Sequence, residues 1–141
     1  MKRKASAEWQ GGLKDGKGTI STESGVLSAT QYSFGARFES GIGTNPEELI
    51  GAAHAGCFSM ALSGQLGAAG ITARSIKTTA TVSLDKQESG WAVTEVHLEV
   101  KIDAPGADKG KVDEAAKNAK AGCPISKLLN AKITMDAEIV V

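Results

Sequence analysis

The chain contains two cysteines, Cys57 and Cys123, and each stands where a thiol can be activated rather than merely packed. Cys57 lies in the run Asn45-Pro-Glu-Glu-Leu-Ile-Gly-Ala-Ala-His-Ala-Gly-Cys-Phe-Ser-Met-Ala-Leu. Cys123 lies in Ala-Gly-Cys-Pro-Ile-Ser, just before a proline that suits the first position of a helix. Such a pair admits four readings: a redox couple, part of a metal site, a structural disulfide, or two unrelated core residues.

Each position has a chemical reading and a plain one. Cys57 follows Ala55 and Gly56, which let a ligand or a second backbone come close. A reactive thiol needs a partner that favours the thiolate. The start of its own helix is about three turns away, too far to help, so an arginine from elsewhere would be required. The plain reading is a small hydrophobe in a buried helix. Cys123 before Pro124 reads as an N-cap whose sulfur faces unpaired N–H groups, or equally as a helix-to-helix corner. Arg37 is the only arginine between Arg3 and Arg74. Taken alone it is a solvated strand residue that pairs with Glu39. Glu47 and Glu48 are first-turn acids, and with Glu48 at the capping position Glu47 is free to orient another group.

His54 and Cys57 are spaced i, i+3, and with Cys123 they would make a His/Cys/Cys metal set. There is no Cys-x-x-Cys and no second nearby histidine, so metal ranks behind the thiol readings. His97 shares a polar strand face with Glu95, Glu99 and Lys101 and reads as solvated.

Sixteen basic and sixteen acidic side chains give no formal net charge, which removes nucleic acid and anionic membranes as expected partners. Met1-Lys-Arg-Lys is basic, but Ala-Ser-Ala-Glu-Trp follows with no apolar region, so it is not a secretory signal. No apolar run reaches the ~20 residues of a membrane span. A cytoplasmic protein of one domain, residues 1–141, is expected. In a reducing cytosol two cysteines favour catalysis, redox sensing or metal over a permanent staple.

The elements that must position these residues begin with an alternating strand over Arg3 to Gln10, a turn at Lys14-Asp-Gly-Lys-Gly, and a strand near Thr19-Ile-Ser-Thr. A third strand puts Tyr32, Phe34, Ala36 and Phe38 on one face and Gln31, Ser33, Arg37 and Glu39 on the other. A helix opens at Asn45-Pro46-Glu47-Glu48, with Asn45 as N-cap and Glu48 at N3 reaching back, and Gly67 to Gly70 ends it. Small and apolar residues on nearly every side predict a central helix buried on most faces. Strands follow over Ile76 to Leu84 and Ala92 to Ile102, separated by a turn at Glu88-Ser-Gly. A helix over about Lys109 to Lys120 comes next, then a short helix opened by Cys123-Pro124, and a last strand over Ile133 to Ile139. The order predicts an α+β fold built on antiparallel hairpins.

Four stretches together resemble the OsmC/Ohr family of bacterial thiol-dependent hydroperoxide reductases, in its osmotically inducible branch. They are Lys17-Gly-Thr-Ile-Ser-Thr-Glu-Ser-Gly-Val-Leu, the run from Gly43 through Cys57 to Leu62, Val82-Ser-Leu-Asp-Lys, and Lys120-Ala-Gly-Cys-Pro-Ile-Ser. The resemblance spans essentially the whole chain. It implies an OsmC-like fold in which antiparallel sheets wrap central helices in an intertwined homodimer with active sites at the subunit interface. It also assigns roles: Cys57 as the peroxide-attacking cysteine, Cys123 as the resolving one, Arg37 as the arginine that holds the thiolate, and Glu47 as the acid that positions that arginine.

Those roles are chemically coherent. A buried thiolate is costly without a nearby cation, and Arg37 supplies a charge that deprotonation cannot remove. Glu47 fixes the guanidinium in bidentate geometry. Cys57 becomes a sulfenic acid, Cys123 condenses with it to a disulfide, and an external dithiol restores the pair; lipoylated protein, thioredoxin and glutathione-type donors are all open, and the family leans towards dihydrolipoyl dithiols. Apolar neighbours such as Phe34, Phe38, Phe58 and Met60 would favour organic hydroperoxides over hydrogen peroxide. The resemblance thus implies a cofactor-free, metal-free peroxidase of oxidative and osmotic stress defence. The alternative is a non-enzymatic redox sensor or small-ligand binding protein using the same thiols.

Overall fold

Polar–apolar alternation at the start of the chain becomes a hairpin in the computed structural model, which describes all 141 residues. Strand β1 (Ala5–Gln10) pairs antiparallel with β2 (Lys17–Thr22), from Ala5 opposite Thr22 to Gln10 opposite Lys17. Strand β3 (Thr30–Tyr32) adds antiparallel to β2, with Gly18 opposite Tyr32. Gly18 is needed there, because a Cβ would lie 2.2 Å from the Tyr32 ring. Its absence lets the Trp9 and Tyr32 rings pack with centroids 5.3 Å apart.

The strand expected over Gln31 to Glu39 stops at Tyr32. Helix α1 (Phe34–Phe38) replaces its second half. Ser33 is the reason: its Oγ accepts a hydrogen bond from the Ala36 N–H at 3.1 Å and caps the turn. Phe34 and Phe38 still share a face, now by i, i+4 spacing, with ring centroids 4.9 Å apart.

Helix α2 (Pro46–Ala68) opens where Asn45 and Pro46 predict it, with Asn45 Oδ1 accepting from the Glu48 N–H at 2.8 Å. The Glu48 carboxylate does not close the expected capping box and instead accepts from the Thr44 hydroxyl at 2.8 Å. The chain forms two units, Met1–Leu49 and Ile50–Val141, and α2 passes from the first into the second.

In the second unit β4 (Ser75–Gln87) and β5 (Gly90–Asp103) form a long antiparallel hairpin with a register shift at Ser83/Leu84. Strand β6 (Lys132–Val140) pairs with β5 in parallel, from Glu95 opposite Lys132 to Asp103 opposite Val140. This corrects the expectation of hairpins alone. Helices α3 (Lys109–Gly122) and α4 (Pro124–Leu128) carry the chain back, so β6 enters from the same end as β5. Val96, Leu98, Val100 and Ile102 form the buried face of β5. They share a core with Phe58, Leu62 and Leu66 of α2 and with Val112 and Ala116 of α3.

The α2 surface also differs from expectation. Gly51, His54, Phe58, Leu62 and Leu66 make one buried stripe at helical spacing. Ala52, Ala53, Gly56, Met60, Ser63 and Gly64 are exposed in the single chain. The close backbone approach falls at Gly51, where a Cβ would stand 3.3 Å from the Ala80 carbonyl oxygen, while a Cβ on Gly56 meets nothing within 4 Å.

Candidate active site

The candidate residues fall into two clusters. The first joins α1 to the start of α2. Arg37 Nε donates to both Glu47 oxygens, at 3.2 and 3.1 Å, and Nη2 donates to Oε1 at 2.7 Å. The pair is directional because both termini are fixed: Ser33 caps α1, and Asn45 caps α2 while its Nδ2 donates to the Ala36 carbonyl at 3.2 Å. Arg37 therefore pairs with Glu47 and not with Glu39, the neighbour that strand alternation suggested. Its Cζ lies 5.2 Å from the centre of the Phe38 ring, within cation–π range. Beside it is a cavity of about 250 Å³ whose lining includes Trp9, Leu13, Tyr32, Phe34 and Phe38. The cluster thus offers one guanidinium, charge-balanced by Glu47, at the wall of an apolar hollow.

The second cluster holds the thiols. Cys57 on α2 and Cys123 at the α3–α4 corner are both free, and their sulfurs lie 2.8 Å apart. Cys123 is fully buried against the core and Cys57 is half-buried. Cys123 is both the C-cap of α3, its N–H bonded to the Ala119 carbonyl at 2.9 Å, and the N-cap of α4. The corner reading therefore holds, and Cys123 occupies the N-cap position, but its sulfur makes no capping hydrogen bond to α4.

Burial pushes the Cys57 thiol up, and the hydrogen bond with Cys123 adds to the rise. At Cys123 burial also acts upward. The Cys57 thiol, the N–H groups of Ser126 and Ile125 and the Ser126 hydroxyl outweigh it and bring Cys123 below the ordinary cysteine value. The first ionisation belongs to the pair, and within this chain the negative charge is drawn towards Cys123, first by the Cys57 thiol and then by the groups of Ser126 and Ile125.

His54 does not join the cysteines as a metal ligand. Its Nε2 lies 2.7 Å from Ser126 Oγ, and no three His, Cys, Asp or Glu side chains converge as a metal set. His97 is also partnered, with Nδ1 2.6 Å from Thr134 Oγ1 and Nε2 3.3 Å from Asp136 Oδ2. Among the apolar residues expected near the reacting centre, Phe34 and Phe38 line the hollow beside Arg37. Phe58 is core, and Met60 is 79% exposed. Ser126 escaped the sequence reading. Its signal was a hydroxyl three residues after the N-cap Cys123, where a side chain turns back towards the cap.

The sequence and the fold have known counterparts. The sequence model described as OsmC-like protein matches residues 39–138. Peroxiredoxin OsmC of Escherichia coli K12 is 56% identical over 137 residues, covering 97% of this chain and 96% of that protein. Organic hydroperoxide resistance protein OhrB of Bacillus subtilis is 30% identical over 122 residues, covering 86% and 88% of the two chains. The crystal structure of that OhrB superposes with a TM-score of 0.71 at 29% identity, over 96% of this chain and 97% of the other. An OsmC-like protein from Mycoplasma pneumoniae shares the fold with a TM-score of 0.78 at 17% identity, over 100% and 99% of the chains. With a family match over most of its length and relatives aligned nearly end to end, the chain belongs to the OsmC family.

Proposed function

We propose that the chain is a thiol-dependent peroxidase that reduces organic hydroperoxides to alcohols. The observation that carries this reading is the approach of two free cysteine sulfurs to 2.8 Å. The relatives, a peroxiredoxin and an organic hydroperoxide resistance protein, support peroxide chemistry.

In the proposed cycle the Cys57 thiolate attacks the terminal peroxide oxygen, the O–O bond breaks, and the alkoxide leaves as alcohol after taking a proton. Cys57 is then a sulfenic acid. The Cys123 thiolate attacks its sulfur, an S–S bond forms, and hydroxide leaves as water. A dithiol of lipoyl type reduces the disulfide by exchange. Arg37, held by Glu47, stabilises the Cys57 thiolate and the departing alkoxide. This is the step that reverses the single chain's own bias, in which the Cys57 thiol and the groups of Ser126 and Ile125 favour the anion on Cys123. The apolar hollow beside Arg37 suits an alkyl hydroperoxide better than hydrogen peroxide.

The working unit in this proposal is a homodimer with its sites at the subunit interface, each chain contributing one OsmC-like domain over residues 1–141. The exposed small-residue face of α2 supports it, because small side chains let a second helix come close. No helix is long and apolar enough to cross a membrane. We place the protein in the cytoplasm, where a reducing thiol pool returns a cysteine pair to the dithiol form the cycle needs.

Whole-protein mass and a free-thiol count, taken after one equivalent of cumene hydroperoxide, test the reading. Loss of two hydrogens and of both thiols in the wild type, but not in Cys57→Ser, is expected. Two unchanged thiols would refute it. Turnover with a supplied dithiol separates the enzyme from a sensor, which would form one disulfide and stop.

A further inference from the structure

The proposed cycle leaves one buried titratable side chain unused. His54 is fully buried on α2, and burial holds its pKa below the ordinary histidine value, so the ring is neutral. Its Nε2 lies 2.7 Å from Ser126 Oγ, and its Nδ1 has no hydrogen-bond partner. Ser126 stands three residues after Cys123 in the short helix that Cys123 opens, and its hydroxyl favours the ionised form of the Cys123 sulfur, which stands 2.8 Å from Cys57. Four side chains thus run in series from a histidine to the thiol pair, across 72 residues of sequence between His54 and Ser126.

The orphaned nitrogen fixes the direction of this series. A buried N–H without an acceptor is rarer and costlier than a bare lone pair. The ring proton is therefore on Nε2, which donates to Ser126 Oγ. With its oxygen accepting from the ring, the Ser126 hydroxyl keeps its own hydrogen free to turn towards Cys123.

We propose that His54 is a positioning residue for disulfide formation, holding the Ser126 hydroxyl as a donor to the Cys123 sulfur. The inference rests on the peroxidase reading above. Cys123 must attack the Cys57 sulfenic sulfur as a thiolate: its sulfur forms the S–S bond, the S–O bond breaks, and hydroxide leaves and is protonated to water. A donor to sulfur stabilises the Cys123 thiolate that forms once Cys57 has become a sulfenic acid, and directs it at Cys57. A histidine that merely filled core would not need its polar nitrogen on a hydroxyl beside the thiol.

The test follows the two chemical steps separately after mixing reduced protein with cumene hydroperoxide. Sulfenic acid is trapped with dimedone, and disulfide is read from mass. Ser126→Ala and His54→Leu should form the sulfenic acid and then close the disulfide about tenfold more slowly, a change of about 1.4 kcal/mol. Ser126→Thr keeps the hydroxyl and His54→Gln can keep a donor nitrogen, so both should close it within about threefold of wild type. Unchanged closure in Ser126→Ala, or equal slowing in Ser126→Ala and Ser126→Thr, would overturn the proposal. A wild type that forms no sulfenic acid would instead sink the peroxidase reading, and this inference with it.

Discussion

Glu47 grips Arg37 from the side, accepting from Nε through both carboxylate oxygens and from Nη2 at 2.7 Å. The guanidinium plane is therefore set by the start of α2 rather than by the flexible arginine stem. A lysine at position 37 would keep the charge and lose the fork. Hydrogen bonds to charged groups contribute about 1.5–3 kcal/mol, which corresponds to roughly 10–100-fold in rate. Arg37→Lys and Glu47→Gln should each lower kcat/KM for cumene hydroperoxide within that range. Near-normal steady-state kinetics in Arg37→Lys would remove Arg37 from the thiolate site.

The two cysteines should fail differently. Cys57→Ser has no nucleophile and should show no peroxide consumption. Cys123→Ser should consume one equivalent in reaching the sulfenic acid and a second in climbing to the sulfinic acid, and then stop, readable as one and then two added oxygens by mass. Repeated turnover of Cys123→Ser with a dithiol would mean that Cys123 is not needed for resolution.

His54 gives stability a pH dependence of defined sign. Burial lowers its folded pKa below the ordinary 6.5. As pH falls the unfolded chain takes up the proton first, so His54 leaves stability intact above about 6.5 and erodes it below, through the folded value. Urea midpoints should drop between about pH 7 and pH 5, and His54→Gln should flatten that slope. Parallel slopes in the two proteins would assign acid sensitivity to other groups.

Gly56 tests the exposed α2 face. A Cβ there meets nothing within 4 Å, and a glycine inside a helix costs roughly 0.5–1 kcal/mol relative to alanine. If solvent covers this face, Gly56→Glu should stabilise the chain. If a second copy covers it, the same change should dissociate the dimer, and light scattering after size exclusion should show a monomer. The dimer proposal expects dissociation.

Much of this arrangement was legible in the residues, and the failures have physical causes. Asn45-Pro46 marked the start of α2, and Cys123-Pro124 marked the corner, because caps are local events. Period-two burial in β5 read directly from Val96, Leu98, Val100 and Ile102. The run Phe34 to Phe38 misled because two aromatics four apart fit a strand face and a helix face equally. Ser33 decided between them, and a serine also sits comfortably in strands. Nothing local told that β6 would lie parallel to β5. That follows from where α3 and α4 deliver the chain. His54 and Ser126 meet across 72 residues, a contact no spacing rule reaches. In α2, small residues on all sides suggested burial all round, but one chain covers only the stripe through Phe58.

The parallel pairing of β5 and β6 also fixes when the thiol pair can come into being. A hairpin strand can zip up as soon as its turn forms, but β6 must wait for the whole α3–α4 crossover. Cys123 sits in that crossover, 66 residues after Cys57. A ribosome therefore releases Cys57, the proposed nucleophile, long before Cys123, its proposed resolving partner. Pulsed alkylation during refolding should find Cys57 open until β6 docks. Newborn chains then pass through an interval in which a single encounter with peroxide has no built-in remedy, so the crossover acts as a timer on the vulnerability of the unfinished protein.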